Sequence, residues 1–107
     1  MRRGDLVAVA LRGDQGKPRP ALVVQADHFG ELGSVTVLPV TGTLVDAPLL
    51  RVTVDPSERN GLTKRSQIMV DKPQTPPRGR LGPVMGRLED PTMITVSRLL
   101  AVFLGLA

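Results

Sequence analysis

The sequence predicts a mainly β domain, a small barrel or sandwich, that ends in a single α-helix. The chain has 107 residues, which is the length of one domain. Short apolar runs rich in β-branched residues fill residues 6–70, separated by Gly, Pro, Asp and Asn at a spacing typical of small all-β folds. In residues 90–107 the apolar side chains instead recur at the spacing of an α-helix, and this pattern starts at Asp90-Pro91.

Five of the apolar runs are predicted strands. Pro20 directly precedes the second, which suits a first strand position because proline has no N–H to donate. The five runs are residues 6–11, 21–26, 34–40, 51–54 and 67–70. Residues 72–83 hold four prolines, three cations and two glycines, and they predict a loop. This loop is either plain surface or the basic edge of a cleft.

The C-terminal helix has clear boundary signals. Asp90 is the predicted N-cap, Pro91 occupies the first helical position, and Gly105 is the predicted stop. An apolar stripe at helical spacing follows Asp90, and further apolar residues lie off it, so the helix needs cover on two sides. The barrel covers one side, and we expect a second copy of the chain to cover the other. The stripe consists of Met93, Val96, Leu100 and Phe103, widened by Leu99 and Leu104.

Composition excludes several kinds of site. With no cysteine and one histidine, His28, the chain offers no disulfide, no thiolate zinc site and no catalytic histidine pair. Two phenylalanines are the only aromatic residues, too few for a base-stacking platform. Carboxylates could still hold a metal, but the close acidic pair Glu89-Asp90 is typical of a helix start, so no metal and no cofactor are predicted. No apolar run approaches the ~20 residues that span a bilayer, so we predict a cytoplasmic protein with no membrane partner.

Charge is unevenly distributed along the chain, whose net charge is +4. Residues 1–20 hold five basic and two acidic groups, residues 21–60 hold two and five, and residues 61–107 hold seven and three. If the two basic ends meet in the fold, they form a face suited to a polyanion. The alternative is an ordinary solvated surface with a high isoelectric point.

The residue types present are sufficient for RNA cleavage, because RNA supplies its own nucleophile in the 2′-OH. An arginine fork can bind two phosphate oxygens, a threonine hydroxyl can donate to a third, and a carboxylate can accept the 2′-OH proton. The phosphate-binding Gly-rich loops, the zinc-protease helix motif and the serine-hydrolase elbow are all missing from the sequence. Arg, Lys, Thr and Asp are therefore the candidate functional residues.

Several short motifs, in the right order and spacing, resemble the MazF/PemK toxins over nearly the whole chain. The opening motifs are Arg3-Gly4-Asp5-Leu6-Val7, Arg19-Pro20-Ala21-Leu22-Val23-Val24 and Val37-Leu38-Pro39-Val40-Thr41-Gly42. The later ones are Val70-Asp71-Lys72-Pro73-Gln74-Thr75, Met85-Gly86-Arg87-Leu88 and Leu104-Gly105-Leu106. The loop at residues 12–18 is shorter than is usual in that family.

The resemblance implies one toxin domain over residues 1–107, folded as an SH3-like small barrel with a C-terminal α-helix. It also implies a homodimer whose interface cleft binds single-stranded RNA, and an antitoxin whose acidic, disordered tail fills that cleft. The implied activity is that of a type II toxin, a sequence-selective, metal-independent endoribonuclease that leaves 2′,3′-cyclic phosphate and 5′-hydroxyl ends. Two alternatives share the barrel: a non-catalytic poison like the CcdB gyrase inhibitors, and a plain SH3-like binding module.

The resemblance also assigns roles to individual residues. Arg19 binds the phosphate and assists proton transfer to the leaving oxygen, Thr41 donates to the phosphate, and Asp71 is the base. The predicted RNA-binding cations are Lys17, Lys72, Arg78 and Arg80. Each catalytic role has a structural alternative: an ion pair between Arg19 and Asp14, a turn at Thr41, and a brace between Asp71 and Lys72.

Overall fold

The computed structural model describes all residues, 1–107, and contains six strands and one α-helix. The elements are β1 (Asp5–Val9), β2 (Arg19–Val23), β3 (Val37–Thr41), β4 (Arg51–Val54), β5 (Ser66–Met69), β6 (Leu81–Arg87) and α1 (Asp90–Phe103). All pairs are antiparallel, in the order β4-β5-β3-β2-β1-β6. The predicted mainly β fold with a C-terminal helix is confirmed. No helix combines the length and apolar character needed to cross a membrane.

Both faces of the sheet are partly buried, because successive side chains of a strand point to opposite sides. On one face, Leu22 and Leu38 belong to the larger core, which α1 covers with the fully buried Val96. On the other face, Ala21 and Val37 belong to a smaller apolar cluster. The second face therefore has room beyond its small core for polar side chains.

The sheet curls until β6 meets the segment that precedes β5. The Arg87 N–H donates to the Arg59 carbonyl at 2.8 Å. This approach needs Gly86, since a Cβ there would lie 2.5 Å from the Arg59 oxygen. Gly61 has φ +71° and faces β6, where an added Cβ would lie 3.0 Å from the Met85 carbonyl carbon. The result is a partly closed small barrel.

Strand β6 corrects the sequence prediction. Residues 72–83 are predicted as a loop, but β6 begins at Leu81 and contains Pro83. The strand tolerates proline because it lies at the edge of the sheet and pairs only with β1. Its register against β1 shifts between Leu6 and Val7 and again before Val9, so no regular apolar alternation marks it in the sequence.

The helix ends as predicted but begins differently. Gly105 has φ +76°, and its N–H donates to the Val102 carbonyl at 3.1 Å, which confirms the stop. The predicted N-cap is wrong by one residue: Glu89 is the N-cap, and Asp90 instead pairs with Arg59 at 2.7 Å. Phe103 is 44% exposed rather than packed in the core of its own chain.

Candidate active site

Arg19 and Thr41 share one face and one end of the sheet. The pairing of β2 with β3 runs from Val23 to Ala21 and stops there, since Pro20 has no N–H to continue it. Arg19 and Thr41 each lie two residues beyond the last pair, Ala21↔Pro39, at the same end of the sheet. Both side chains then lie on the face of the smaller core. The fold thus brings the predicted phosphate-binding arginine and threonine into one row.

The guanidinium of Arg19 is uncommitted. Arg19 is the first residue of β2, pairs with Val9 across β1, and is exposed. It makes no side-chain hydrogen bond and no ion pair within the chain. The alternative pairing with Asp14 does not occur, because the Asp14 carboxylate instead accepts the N–H of Leu11 at 3.0 Å. Arg19 is therefore free to bind a ligand.

Thr41 combines a turn role with a free hydroxyl proton. Its Oγ1 accepts the N–H of Thr43 at 3.1 Å, as the structural alternative expects. A threonine hydroxyl is also one donor, and here its proton has no acceptor within the chain. The backbone bond fixes the oxygen, which leaves the O–H available to a phosphate.

Gln67 is a site residue that the sequence did not predict. It pairs with Thr41 across β3 and β5 and is 6% exposed. Its side-chain amide accepts the N–H of Val45 at 3.0 Å and donates to the Val45 carbonyl at 3.0 Å. Gln67 thereby holds the β3–β4 loop beside Thr41. No sequence signal marks this role, because it depends on two segments that are 22 residues apart.

Asp71 lies apart from the Arg19–Thr41 row. It lies in the turn that follows the end of β5, four residues after Gln67. Its side chain is 22% exposed, and one oxygen is 3.8 Å from the Lys72 ammonium. The other oxygen, Oδ1, is buried without a hydrogen-bond partner. Asp71 therefore lies outside the paired strands that carry Arg19 and Thr41, and it makes the predicted contact with Lys72.

A groove of about 560 Å³ runs between the β1–β2 loop and residues 72–80. Arg12, Lys72 and Arg80 line it, and no acidic residue does. Gln74 ties the two sides together, because its side chain accepts the Arg12 N–H at 3.1 Å. Two of the four predicted RNA-binding cations, Lys72 and Arg80, thus share one groove. Arg12, which was not predicted to bind RNA, lines the same groove.

The other two predicted RNA-binding cations lie elsewhere. The Arg78 guanidinium donates to the carbonyls of Leu32, at 2.9 Å, and Gly30, so it fastens residues 77–80 to the loop between β2 and β3. Lys17 is exposed in the β1–β2 loop, where its side chain has no partner. Their RNA-binding roles stay predictions.

A model of the PemK-like, MazF-like toxins of type II toxin–antitoxin systems matches residues 2–104. The chain belongs to this toxin family. A probable endoribonuclease MazF of Mycolicibacterium smegmatis is 47% identical to this PemK/MazF-like toxin over 108 residues, which cover 100% of this chain and 99% of that protein.

Solved structures with the same fold are similar over their whole length. One is an endoribonuclease in complex with its cognate antitoxin from a mycobacterial species, with a TM-score of 0.84 and 25% identity over 100% of this chain and 97% of that one. Another is the Mycobacterium tuberculosis toxin MazF-mt6, with a TM-score of 0.82 and 27% identity over 96% and 98% of the two chains. The predicted class, a MazF/PemK-type endoribonuclease toxin, is confirmed.

Proposed function

We propose that this PemK/MazF-like toxin cleaves single-stranded RNA in the cytoplasm, without a metal, through attack of the 2′-OH on the neighbouring phosphate. The P–O5′ bond breaks, and the products are a 2′,3′-cyclic phosphate and a 5′-hydroxyl. One observation supports this most directly: an uncommitted guanidinium at Arg19 and a free hydroxyl proton at Thr41 occupy one row of the sheet face.

The chemistry of this row suits a phosphorane. Negative charge grows on the non-bridging oxygens as the 2′-oxygen attacks, and a preorganised cation and hydroxyl stabilise that charge more than they stabilise the ground state. The planar fork of Arg19 can bind two oxygens, and one of its N–H groups can reach the leaving 5′-oxygen and assist its protonation. Thr41 donates to the remaining oxygen.

For Asp71 we propose the role of proton acceptor for the 2′-OH. The 22% exposure of its side chain leaves the carboxylate accessible to RNA, whereas the contact with the Lys72 ammonium at 3.8 Å favours the brace. Asp71→Asn separates the two roles. If Asp71 is the base, kcat falls by at least about 10²-fold with unchanged thermal stability. Loss of stability with kcat preserved would leave only the brace.

The basic groove of Arg12, Lys72 and Arg80 fits the nucleotides that flank the cleaved bond. The same cations suit an acidic peptide, so we propose this groove for the disordered tail of a cognate antitoxin. The similar mycobacterial endoribonuclease was solved in complex with its cognate antitoxin. Both ligands would then compete for one surface.

We further propose that the toxin is a homodimer. Helix α1 and the residues after it expose apolar side chains that the chain itself leaves uncovered, and exposed apolar surface of this kind marks interaction sites. The exposed residues are Ile94, Val102, Phe103, Leu104 and Leu106.

The test of the proposed activity is incubation of the purified toxin with mixed-sequence single-stranded RNA in EDTA. We expect discrete fragments whose 5′ ends accept a phosphate from polynucleotide kinase without prior dephosphorylation. DNA of the same sequence should resist because it lacks the 2′-OH, and a duplex should resist because its geometry prevents in-line attack. Arg19→Ala, purified identically, controls for contaminating ribonuclease. Cleavage that requires added magnesium would refute the proposal.

A further inference from the structure

We propose that Lys64 is the second cation of the phosphate site, flanking Thr41 on the side opposite Arg19; this inference rests on the proposed RNA-cleaving function. Lys64 precedes β5, which pairs with β3 on one side, whereas Arg19 belongs to β2 on the other side. The site then consists of a hydroxyl between two cations.

The position of the Lys64 side chain follows from its contact with Gly42, the residue directly after Thr41. A Cβ built on Gly42 would lie 2.6 Å from the Lys64 Nζ and 3.4 Å from its Cδ. The end of the lysine therefore lies directly over the Gly42 backbone. Any residue larger than glycine at position 42 would displace the ammonium.

The Lys64 ammonium is uncommitted while its backbone is anchored. It makes no ion pair and no hydrogen bond, and the residue is exposed. The Ser66 hydroxyl donates to the Lys64 carbonyl at 2.9 Å, and nearby Leu62 is buried. The neighbouring Arg65 points its charge elsewhere, pairing with Asp55 at 3.2 Å. Lys64 thus offers an unpaired ammonium next to the backbone of Gly42, the residue that follows Thr41.

Binding of a single-stranded RNA whose 2′-hydroxyls are methylated tests Lys64 without requiring cleavage. We expect Lys64→Ala to weaken binding about 10-fold at 0.1 M salt and to reduce the slope of log Kd against log salt by about 0.7, the value for one lost phosphate contact on a single strand. Arg65→Ala is the matched control, since it removes an adjacent exposed cation that faces Asp55, and it should leave Kd within about twofold.

Gly42→Ala supplies a second, independent test. The φ of Gly42 is not positive, and the three atoms nearest to the new methyl all belong to the flexible end of Lys64, so the fold should tolerate it. We expect it to weaken binding while leaving the charge of the protein unchanged, and the double variant with Lys64→Ala should bind no more weakly than Lys64→Ala alone. Additive losses, or Lys64→Ala binding within twofold of the wild type, would overturn the proposal.

Cleavage of unmodified RNA, measured in parallel, keeps the two proposals separate. A wild type that binds the methylated strand but cuts no RNA contradicts the proposed activity while the binding arms still decide the role of Lys64. A wild type that cuts RNA, with Lys64→Ala equal to it in kcat/KM and Kd, contradicts only the assignment of Lys64.

Discussion

Arg19 contributes almost nothing to the fold at the scale of single residues. It is exposed at the start of β2, and its side chain has no partner in the chain. Other arginines are structural: Arg3 donates to the Ser97 hydroxyl at 2.5 Å and to the Val24 carbonyl, and Arg87 pairs with Asp5 at 3.0 Å. An arginine that the fold does not use is available for chemistry.

Arg19→Ala should therefore abolish activity without unfolding the toxin. Removing one preorganised charge-stabilising donor typically lowers kcat about 10²–10³-fold. Arg19→Lys should recover little of it, because an ammonium cannot make the two-pronged contact. Initial rates at saturating RNA and thermal melts measure both effects. Arg98→Ala, which removes an exposed cation on α1, should match the wild type, and cleavage by Arg19→Ala within a few-fold of wild type would disprove the assignment.

At the scale of elements, a polar clamp joins the segment before β5 to the start of α1. The Ser57 hydroxyl donates to the Glu89 carboxylate at 2.6 Å, and the fully buried Asn60 donates to it at 3.1 Å. The clamp holds the end of β6 against residues 57–61, where Gly86 allows the close approach. Closure of the barrel therefore depends on both the clamp and this glycine.

Gly86→Ala should destabilise the fold by about 2 kcal/mol, because the added methyl collides with backbone that cannot move without opening the barrel. Gly79→Ala is the matched control: its Cβ would meet nothing within 4 Å, and its φ is not positive. We expect that control within about 0.5 kcal/mol of the wild type in urea unfolding. Equal free energies of unfolding for the two variants would show that the backbone of residues 59–61 shifts at little energetic cost to accommodate the methyl.

Glu89 should give the clamp a pH dependence. The hydrogen bond from Ser57 is the largest effect on the pKa of this carboxyl, and it lowers the pKa below its usual range. Burial opposes it with a smaller effect, and the hydrogen bond from Asn60 and the charge of Arg59 lower the pKa further. A lowered pKa in the folded state means that the stabilisation is present above the unfolded pKa and is lost as the pH falls through the folded pKa.

Glu89→Gln should accordingly be less stable than the wild type at pH 7, and the difference should shrink as the pH falls below ~4, the ordinary range of a glutamate. Urea unfolding at pH 7 and at successively lower pH measures it. Glu58→Gln, which changes an exposed carboxyl without partners in the same segment, should show no such trend. A pH-independent difference would mean that the Glu89 charge does not contribute to the clamp.

At the scale of the whole molecule, the two basic ends of the chain meet. Arg12 comes from the N-terminal basic segment, and Lys72 and Arg80 come from the C-terminal one, yet all three line one groove. The acidic middle of the chain does not enter it. The exposed apolar end of α1 is a separate surface, and it is the one we propose for the dimer.

We expect a dimer mass by light scattering at micromolar concentration, and we expect Phe103→Glu to convert it to a folded monomer. Phe103 is 44% exposed within its chain, so a charge there disrupts an interface rather than the core. Phe29→Glu, at a 52% exposed position outside α1, is the matched control and should stay dimeric. A wild type that is already monomeric would contradict the proposed homodimer.

The sequence by itself determined the fold class, the helix stop at Gly105 and the toxin family, and it proposed Arg19 and Thr41 for the site. These follow from local apolar periods and from short motifs, which need no knowledge of distant partners. The tertiary structure decided the rest: the edge strand β6, the loop-holding Gln67, the commitment of Arg78 to backbone carbonyls, and the place of Lys64 over Gly42. Each depends on contacts between segments far apart in the chain, and such contacts leave no period or motif in the sequence.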